Sequence, residues 1–267
     1  VAKFLQKGEN KIDVLLWFFG KDGFSHVSSG KAGLIFSLEN NVLDVVSDSS
    51  WQCCVRPEYS SAVEPAPNYR LSESNIRYDS TVPQPQMQNA IELGTWGDAP
   101  FGKMLPRPIP MWKDFGVKTG ELIRKGDTTI LKLPYNMQMT PIIKVSDSAG
   151  GSLVHIQTDH SKSGGANCIR AEYITSKGEQ TYESLGWMNG QQIMVIAPEN
   201  VQVREISYRE TGYDTELEGS FACSDPFYNL FWEKAMRTLY VNMRDNFFDC
   251  PDRERAQWWG DVTSEMI

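Results

Sequence analysis

The second half of the chain contains a series of short segments in which apolar and polar residues alternate. Turns rich in Gly or Asn separate several of them. A period of two, with alternate side chains facing a core, is typical of β-strands in a layered all-β domain. The pattern predicts a β-sandwich with strands at residues 128–133, 139–145, 152–158, 168–174, 180–184, 192–196 and 201–211.

The first part of the chain also predicts strands, but less regularly. Residues 12–19, 32–38 and 42–46 are apolar segments of strand length that turns separate. Prolines become frequent between residues 57 and 110, which favours an extended connection over a domain surface. We therefore predict a first β-rich domain at residues 1–118 and a second, the sandwich, at residues 119–218.

The pattern changes to a helical one at residue 224. Asp225 is a candidate N-cap, Pro226 suits the first helical position, and residues 227–247 contain neither Pro nor Gly. The apolar residues of this stretch cover more than one helical face. We predict a long helix over residues 227–247 that is buried between other helices.

The composition and charge of the chain limit the classes of function that the protein can have. The 267 residues are 40% apolar and 11% aromatic, enough for about two domains with cores. The formal charge of -8, with no cluster of Lys and Arg, argues against a nucleic-acid partner. No apolar run reaches the roughly 18 to 20 residues of a membrane helix, so no membrane span is predicted.

The sequence contains few Cys and His residues at spacings that suit a metal site. The five cysteines include no Cys-x-x-Cys pair, and the three histidines are His26, His155 and His160. We predict no catalytic metal and no cofactor, and we interpret most of the cysteines as buried thiols.

Residues 248–261 hold four carboxylates, two arginines and two tryptophans. Pro251 should end the helix and force an irregular loop, the kind of segment that carries catalytic side chains. An indole offers a flat apolar face to a sugar ring, while acids and arginines hydrogen-bond its hydroxyls. The composition of this loop therefore indicates a carbohydrate site; the alternative is a structural ion-pair network beside core tryptophans.

The motif Asp249-Cys-Pro-x-Arg253-Glu254, followed by Trp258-x-Gly260-Asp261, resembles the signature of α-L-rhamnosidases of glycoside hydrolase family 78. Upstream segments that begin at Leu133, Arg170, Glu183 and Tyr208 look like the β-domain of bacterial members. The resemblance extends well over residues 119–267 and loosely over 1–118. It implies a multidomain fold in which jelly-roll and β-sandwich domains precede the first helix of a truncated (α/α)6 barrel, at residues 219–267.

The resemblance also implies roles for five residues of this chain. Glu254 would be the general acid of an inverting hydrolase that releases terminal α-L-rhamnose from glycosides or polysaccharides. Asp249, Arg253 and Asp261 would hold the sugar hydroxyls, and Trp258 would shape the pocket.

The loop departs from the family pattern in one place, which bears on the identity of the acid. The chain has Ala256-Gln257-Trp258-Trp259 where many members read Leu-Gly-Trp-Thr, and some members carry an extra acidic residue between the matched Arg and Glu. These differences leave Asp252 as an alternative acid. We expect Arg253 to point toward the sugar and the aspartates rather than onto Glu254. Partial burial against Trp258 or Trp259, or the neighbouring charges of Asp249 and Asp261, would keep Glu254 protonated.

Inverting hydrolysis needs a second carboxyl group, as general base, about 6.5 to 9.5 Å from the acid. In the family this base lies on a later barrel helix, so we expect it beyond Ile267 and expect the isolated chain to be inactive. The chain opens at Val1 without an initiator Met or a leader sequence. We interpret it as a piece of a larger periplasmic or secreted bacterial protein.

Two other classes stay open. One is a non-catalytic carbohydrate-binding module, in which Trp51, Trp96 and Trp112 would form a sugar platform. The other is an (α/α)6-barrel enzyme of other specificity. A polysaccharide lyase among these would want a Tyr, His or Lys base in the loop, which has none.

Overall fold

The computed structural model describes residues 4–24, 26–39, 44–63, 75–162 and 167–265. It divides into two compact units: unit 1 comprises Val1–Asp22, Val27–Cys53 and Met87–Leu105, and unit 2 comprises Gly23–His26, Cys54–Gln86 and Pro106–Ile267. The elements in chain order are β1 (Ser37–Glu39), β2 (Asp44–Val46), β3 (Gln52–Cys53), β4 (Tyr59–Ser61), β5 (Ile76–Asp79), β6 (Gln88–Asn89), β7 (Lys113–Thr119), β8 (Leu122–Lys125), β9 (Thr128–Asp147), β10 (Leu153–Thr158), β11 (Ala171–Ile174), β12 (Gly178–Glu183), β13 (Met188–Ile196), β14 (Val201–Gly212), α1 (Pro226–Val241) and α2 (Trp259–Glu265).

Unit 1 contains two short antiparallel pairs, β1 with β2 and β3 with β6. The strand predicted at residues 12–19 is wrong, since this segment has no regular structure and its apolar side chains are about half exposed. The strands predicted at 32–38 and 42–46 are shorter than expected, and residues 42 and 43 lie outside the described residues. Apolar composition alone was a weak guide here because no neighbouring strand of the described residues pairs with residues 12–19.

Unit 2 is built on one large sheet that β9 folds into two layers. The first half of β9 pairs with β8 and β13, and its second half pairs with β12 and β14. The strand order is β4-β5-β11-β10-β13-β9-β14-β7. A single apolar cluster joins residues of both layers, among them Leu131, Ile143, Ile156, Val195 and Ile206, each fully buried. The predicted sandwich of alternating strands is thus observed.

The predicted and observed strands of unit 2 differ in two respects. The segments predicted at 128–133 and 139–145 are one continuous strand, β9. Four strands were not predicted: β4 and β5 lie in the proline-rich stretch, β7 spans the proposed boundary at residue 118, and β8 follows it. These strands belong to the same sheet because β5 pairs with β11, β7 with β14 and β8 with β9. Such pairing between distant strands cannot be predicted from the local sequence.

Helix α1 begins as predicted and ends earlier. Asp225 caps it, its carboxylate accepting a hydrogen bond from the backbone N–H of Phe227. The helix ends at Val241 because buried Gln138, on β9, donates to the carbonyls of Val241 (2.7 Å) and Met243 (3.2 Å). Those carbonyls would otherwise accept the next helical N–H groups.

The predicted burial of this helix is also not observed in the structure. Its apolar residues Phe227, Tyr228, Leu230 and Phe231 are each more than half exposed. Val241 is the buried residue of the helix. The helix therefore contacts the sheet mainly through its carboxyl-terminal end.

We expect Asp225→Ala to lower the free energy of unfolding by about 1 kcal/mol, because it leaves the N–H groups of the first helical turn without an acceptor. Urea unfolding followed by circular dichroism measures the loss. Asp225→Ser keeps a capping oxygen and serves as the matched control. An equal loss in both variants would contradict the capping role.

Two smaller features complete the fold. Among the residues that the structure describes, no helix is long and apolar enough to cross a membrane. All five cysteines are thiols that form no disulfide; only Cys168 is buried, while Cys53 and Cys223 are exposed. The expectation of mostly buried thiols is therefore wrong.

Candidate functional site

The acid-rich loop of residues 249–261 is fastened to the sandwich at its start. After α1, a short bridge between Met243 and Phe247 reverses the chain. Phe248 follows, almost fully buried, and its ring stacks on that of Trp187 with the centroids 6.1 Å apart. The backbone N–H of Asp249 then donates to the carbonyl of Ala256 (3.1 Å), which closes residues 249–256 into a compact turn.

Asp249 faces into this turn. Its Oδ1 accepts from the N–H of Ala256 (3.2 Å), and the Cys250 thiol lies 3.4 Å from its Oδ2. Burial raises the pKa of Asp249 above its ordinary value, and the negative charge of Glu254 adds to the rise, against the hydrogen bonds, which lower it. The pKa is thus raised at a carboxyl group that we expected to bind hydroxyls.

Arg253 and Glu254 form a bidentate ion pair. Nη2 of Arg253 donates to Oε1 of Glu254 (2.8 Å), and Nε donates to Oε2. Glu254 is 8% exposed, whereas the Arg253 side chain is 53% exposed. The expectation that Arg253 would avoid Glu254 is wrong for this structure, because a planar guanidinium matches both oxygens of the neighbouring carboxylate. The same Nη2 lies 3.8 Å from Oδ2 of Asp249.

The other two predicted site residues lie on the exposed side of the loop. Trp258 is 44% exposed and packs edge-on against Phe24, with the ring centroids 5.9 Å apart. Asp261 is exposed in the first turn of α2. Trp259 is 73% exposed, so the predicted burial of Glu254 does not come from that indole. The structure thus brings Asp249, Arg253 and Glu254 together.

Arg255 connects the loop to the sandwich and is almost fully buried. Its guanidinium lies 3.3 Å from the centroid of the Trp187 ring and donates to the carbonyls of Pro251 (2.7 Å) and Trp187 (3.3 Å). Its backbone φ of +51° is in the left-handed region, which is strained for a residue with a side chain. These contacts offset the strain directly after Glu254.

A second arginine reaches the same indole from the end of α1. The guanidinium of Arg244 lies 4.7 Å from the Trp187 ring centroid and 3.5 Å from that of Trp112. It donates to Oε1 of Gln138 (2.7 Å) and to the hydroxyl of Thr211 (3.2 Å). Trp112 therefore covers an arginine, which is a packing role rather than the sugar platform considered from the sequence.

Asp252 contacts the sandwich through two polar side chains. Its Oδ2 lies 2.8 Å from Nδ1 of His160 and accepts a hydrogen bond from Nδ2 of Asn189 (3.2 Å). The hydrogen bond to Asp252 raises the pKa of His160 above its ordinary value, and burial opposes this. These contacts join the loop to the turn after β10 and to the beginning of β13.

The sequence did not single out these anchoring residues. Trp187 and Asn189 appeared only inside a segment that resembles the family's β-domain, and His160 only in the count of histidines. Their polar contacts with the loop join residues 63 to 92 positions apart, and the register of the sheet decides which ones meet. A Trp and an Asn within the segment that resembles the family's β-domain were the available signal.

One group of possible metal ligands lies in the loop. Ligand atoms of Asp249, Cys250 and Glu254 are all within 4.8 Å of one another. However, both oxygens of Glu254 accept from Arg253, so a guanidinium already supplies the positive charge. The donor set does not fit a metal centre.

Unit 1 contains a separate cavity of about 590 Å³ that Trp51 lines together with Asn10, Lys11 and Gln52. The indole N–H of Trp51 donates to the carbonyl of Val46 (2.9 Å). Trp96 is 59% exposed. Of the three tryptophans considered as a sugar platform, Trp51 is the one that borders this cavity.

Comparison with known proteins identifies the carboxyl-terminal segment. Residues 216–267 match the model of the bacterial alpha-L-rhamnosidase 6 hairpin glycosidase domain. This match covers the loop and both helices, and it confirms the resemblance inferred from the motif. No curated protein sequence matches the chain.

Two solved structures share the fold. The alpha-L-rhamnosidase from Dictyoglumus thermophilum has 18% identity and a TM-score of 0.62; the match covers 82% of this chain and 26% of that one. The Streptomyces avermitilis alpha-L-rhamnosidase complexed with L-rhamnose has 17% identity and a TM-score of 0.58, with 82% and 22% covered. The chain thus spans about a quarter of the length of these proteins, and the mainly β architecture is that of their corresponding parts.

Proposed function

Since residues 216–267 carry the bacterial α-L-rhamnosidase six-hairpin glycosidase signature, we propose that this chain is the amino-terminal part of an exported α-L-rhamnosidase. The single observation that supports this most is that the match to the family model covers the loop in which Asp249, Arg253 and Glu254 lie together. The similar folds of two rhamnosidases, one of them complexed with L-rhamnose, support it further.

In the proposed reaction Glu254 donates a proton to the departing glycosidic oxygen. Its low exposure and its place beside Asp249 suit a group that must be protonated in a water-poor site. The ion pair with Arg253 opposes protonation, so Arg253 has to leave Glu254 when substrate binds. Its guanidinium is half exposed and lies 3.8 Å from Asp249, which provides an alternative partner beside the sugar hydroxyls.

Asp249, Arg253 and Asp261 hold the rhamnose hydroxyls in this proposal, and Trp258 packs against the ring. The side chains of Arg253 and Trp258 are about half exposed, so both are accessible to a sugar. Asp249 accepts from one backbone N–H through Oδ1 and keeps further acceptor capacity on both oxygens for a hydroxyl. The stereochemical course is inversion, with a second carboxylate elsewhere in the barrel that activates water.

Activity assays on the whole protein test this function directly. We expect the protein to hydrolyse 4-nitrophenyl α-L-rhamnopyranoside and to leave the corresponding α-glucoside and α-mannoside intact. Proton NMR of the first-formed sugar should show β-L-rhamnose, the product of inversion. Hydrolysis of another glycoside in preference would favour a different (α/α)6-barrel glycosidase, and sugar binding without hydrolysis would favour a carbohydrate-binding module.

We expect the 267-residue chain by itself to release no rhamnose, because Glu254 supplies one of the two carboxyl groups that inversion requires. The release of 4-nitrophenol from the same aryl rhamnoside measures this. The whole protein at equal concentration is the positive control. Turnover by the isolated chain would show that the base lies among its own residues.

A further inference from the structure

Asp252 and Glu254 are the two candidate proton donors of the loop, and their surroundings differ. Glu254 pairs with Arg253, its immediate neighbour in the loop. Asp252 instead faces the sandwich, where His160 and Asn189 share its Oδ2 atom. Its side chain is 20% exposed and that of His160 is 33% exposed. Two partners from another part of the fold thus hold Asp252 in place.

Sheet register explains why these two partners are adjacent. Strands β10 and β13 are antiparallel, with Thr158 opposite Ile193. The residues that follow β10 therefore lie beside the beginning of β13, which places His160 next to Asn189. Their close approach requires Gly190, since a Cβ there would lie 2.7 Å from Cβ of Thr158. Nδ1 of His160 and Nδ2 of Asn189 lie 2.9 Å apart, and both face Oδ2 of Asp252. The sandwich thus places two nitrogen groups where one carboxylate contacts both.

We propose that Asp252 is a positioning residue, which His160 and Asn189 hold so that Glu254, two residues further on, is placed for proton donation. This inference rests on the proposed rhamnosidase function. It assigns to the β-domain a part in the reaction, because the anchor that fixes the acid's backbone belongs to the sandwich. Asp252 does not itself donate the proton.

Protonation of His160 strengthens this anchor. The charged groups that affect its pKa are Asp252, from the loop, and Asp159, from its own turn; both raise the pKa, with the hydrogen bond to Asp252 the largest cause. A group with a raised folded-state pKa stabilises the fold fully below its unfolded pKa, about 6.5 for histidine. That contribution disappears as the pH rises through the higher folded-state value.

The leaving group of the substrate separates a positioning role from an acid role. Hydrolysis of a dinitrophenyl rhamnoside needs little protonation of the departing oxygen, whereas a rhamnosyl-glucose disaccharide depends on it. In the whole protein we expect Asp252→Asn and His160→Gln each to lower kcat by a similar factor, about 10-fold to 100-fold, on both substrates. The double variant should lose no more than the larger single loss. Asp127→Asn, in the exposed turn before β9, is the matched control and should keep full activity.

A loss in Asp252→Asn that is confined to the disaccharide would overturn the proposal, because it would make Asp252 the acid. Unchanged kcat on both substrates would overturn it as well. Failure of the wild-type protein on every rhamnoside would instead overturn the proposed function.

An activity-independent measurement tests the contact itself. NMR titration of the three histidines in the 267-residue chain should give His160 a pKa above its ordinary value. Asp252→Asn should lower this pKa, because burial then acts without the carboxylate. An unchanged His160 pKa in that variant would refute the anchor even if the enzyme is a rhamnosidase.

Discussion

Replacement of Glu254 by Gln should reduce kcat on a rhamnosyl-glucose disaccharide by about 10² to 10⁴-fold. Glutamine keeps the size of the side chain and can still contact Arg253, but it has no proton to give to the glycosidic oxygen. Steady-state kinetics on the whole protein measure the loss. On a dinitrophenyl rhamnoside, whose phenolate leaves without help, the loss should be much smaller.

The matched control is Asp252→Asn, which removes a carboxylate two residues away. If Glu254 is the acid, only the Glu254 variant shows a strong dependence on the leaving group. Equal losses on both substrates in Glu254→Gln would contradict the acid role and favour a purely structural ion pair with Arg253. Circular dichroism should show that both variants keep the fold of the wild type.

Replacement of Trp187 by Ala should destabilise unit 2 by about 3–5 kcal/mol. The indole is 5% exposed, stacks on Phe248, and lies against the guanidiniums of Arg244 and Arg255. Its removal leaves a cavity and takes the aromatic face away from two largely buried cations. The midpoint of urea unfolding, followed by far-ultraviolet circular dichroism, measures the change.

Trp112→Ala is the comparison for this variant. That indole is 43% exposed, lies against Arg244 and donates its N–H to Asp245 (3.2 Å), so its loss should cost only about 0.5–2 kcal/mol. A Trp187 variant as stable as the Trp112 variant would show that the stack beneath the loop contributes little. In that case Arg255 would have to keep its left-handed backbone through its hydrogen bonds.

The exposed apolar side of α1 is a separate property of this fold. Phe227, Leu230 and Phe231 are all more than half exposed, and Phe227 stacks on Phe231 with the centroids 6.2 Å apart. The burial predicted for this helix from the sequence is therefore not observed in the structure. We expect the other helices of the proposed (α/α)6 barrel to cover this side of α1 in the whole protein.

Local sequence determined the features that depend on near neighbours. Alternation over five to ten residues located most strands from β9 to β14, and Asp225 with Pro226 located the beginning of α1. The motif from Asp249 to Asp261 marked the candidate site and carried the resemblance to the family. In each case a short continuous stretch of the chain carries the information, so the pairing of distant residues did not have to be known.

Tertiary structure decided what lies between distant positions. Gln138 ends α1 by binding the carbonyls of Val241 and Met243, although the sequence continues a helical pattern to residue 247. The sheet register brings His160 and Asn189 to Asp252, and it places Trp187 under Arg255. Even the pairing of Arg253 with Glu254 depended on the turn that surrounds them. Hydrophobic periodicity specifies which face of a strand or helix is buried, but which polar groups meet depends on how the strands pair, and that emerges only when the chain is folded.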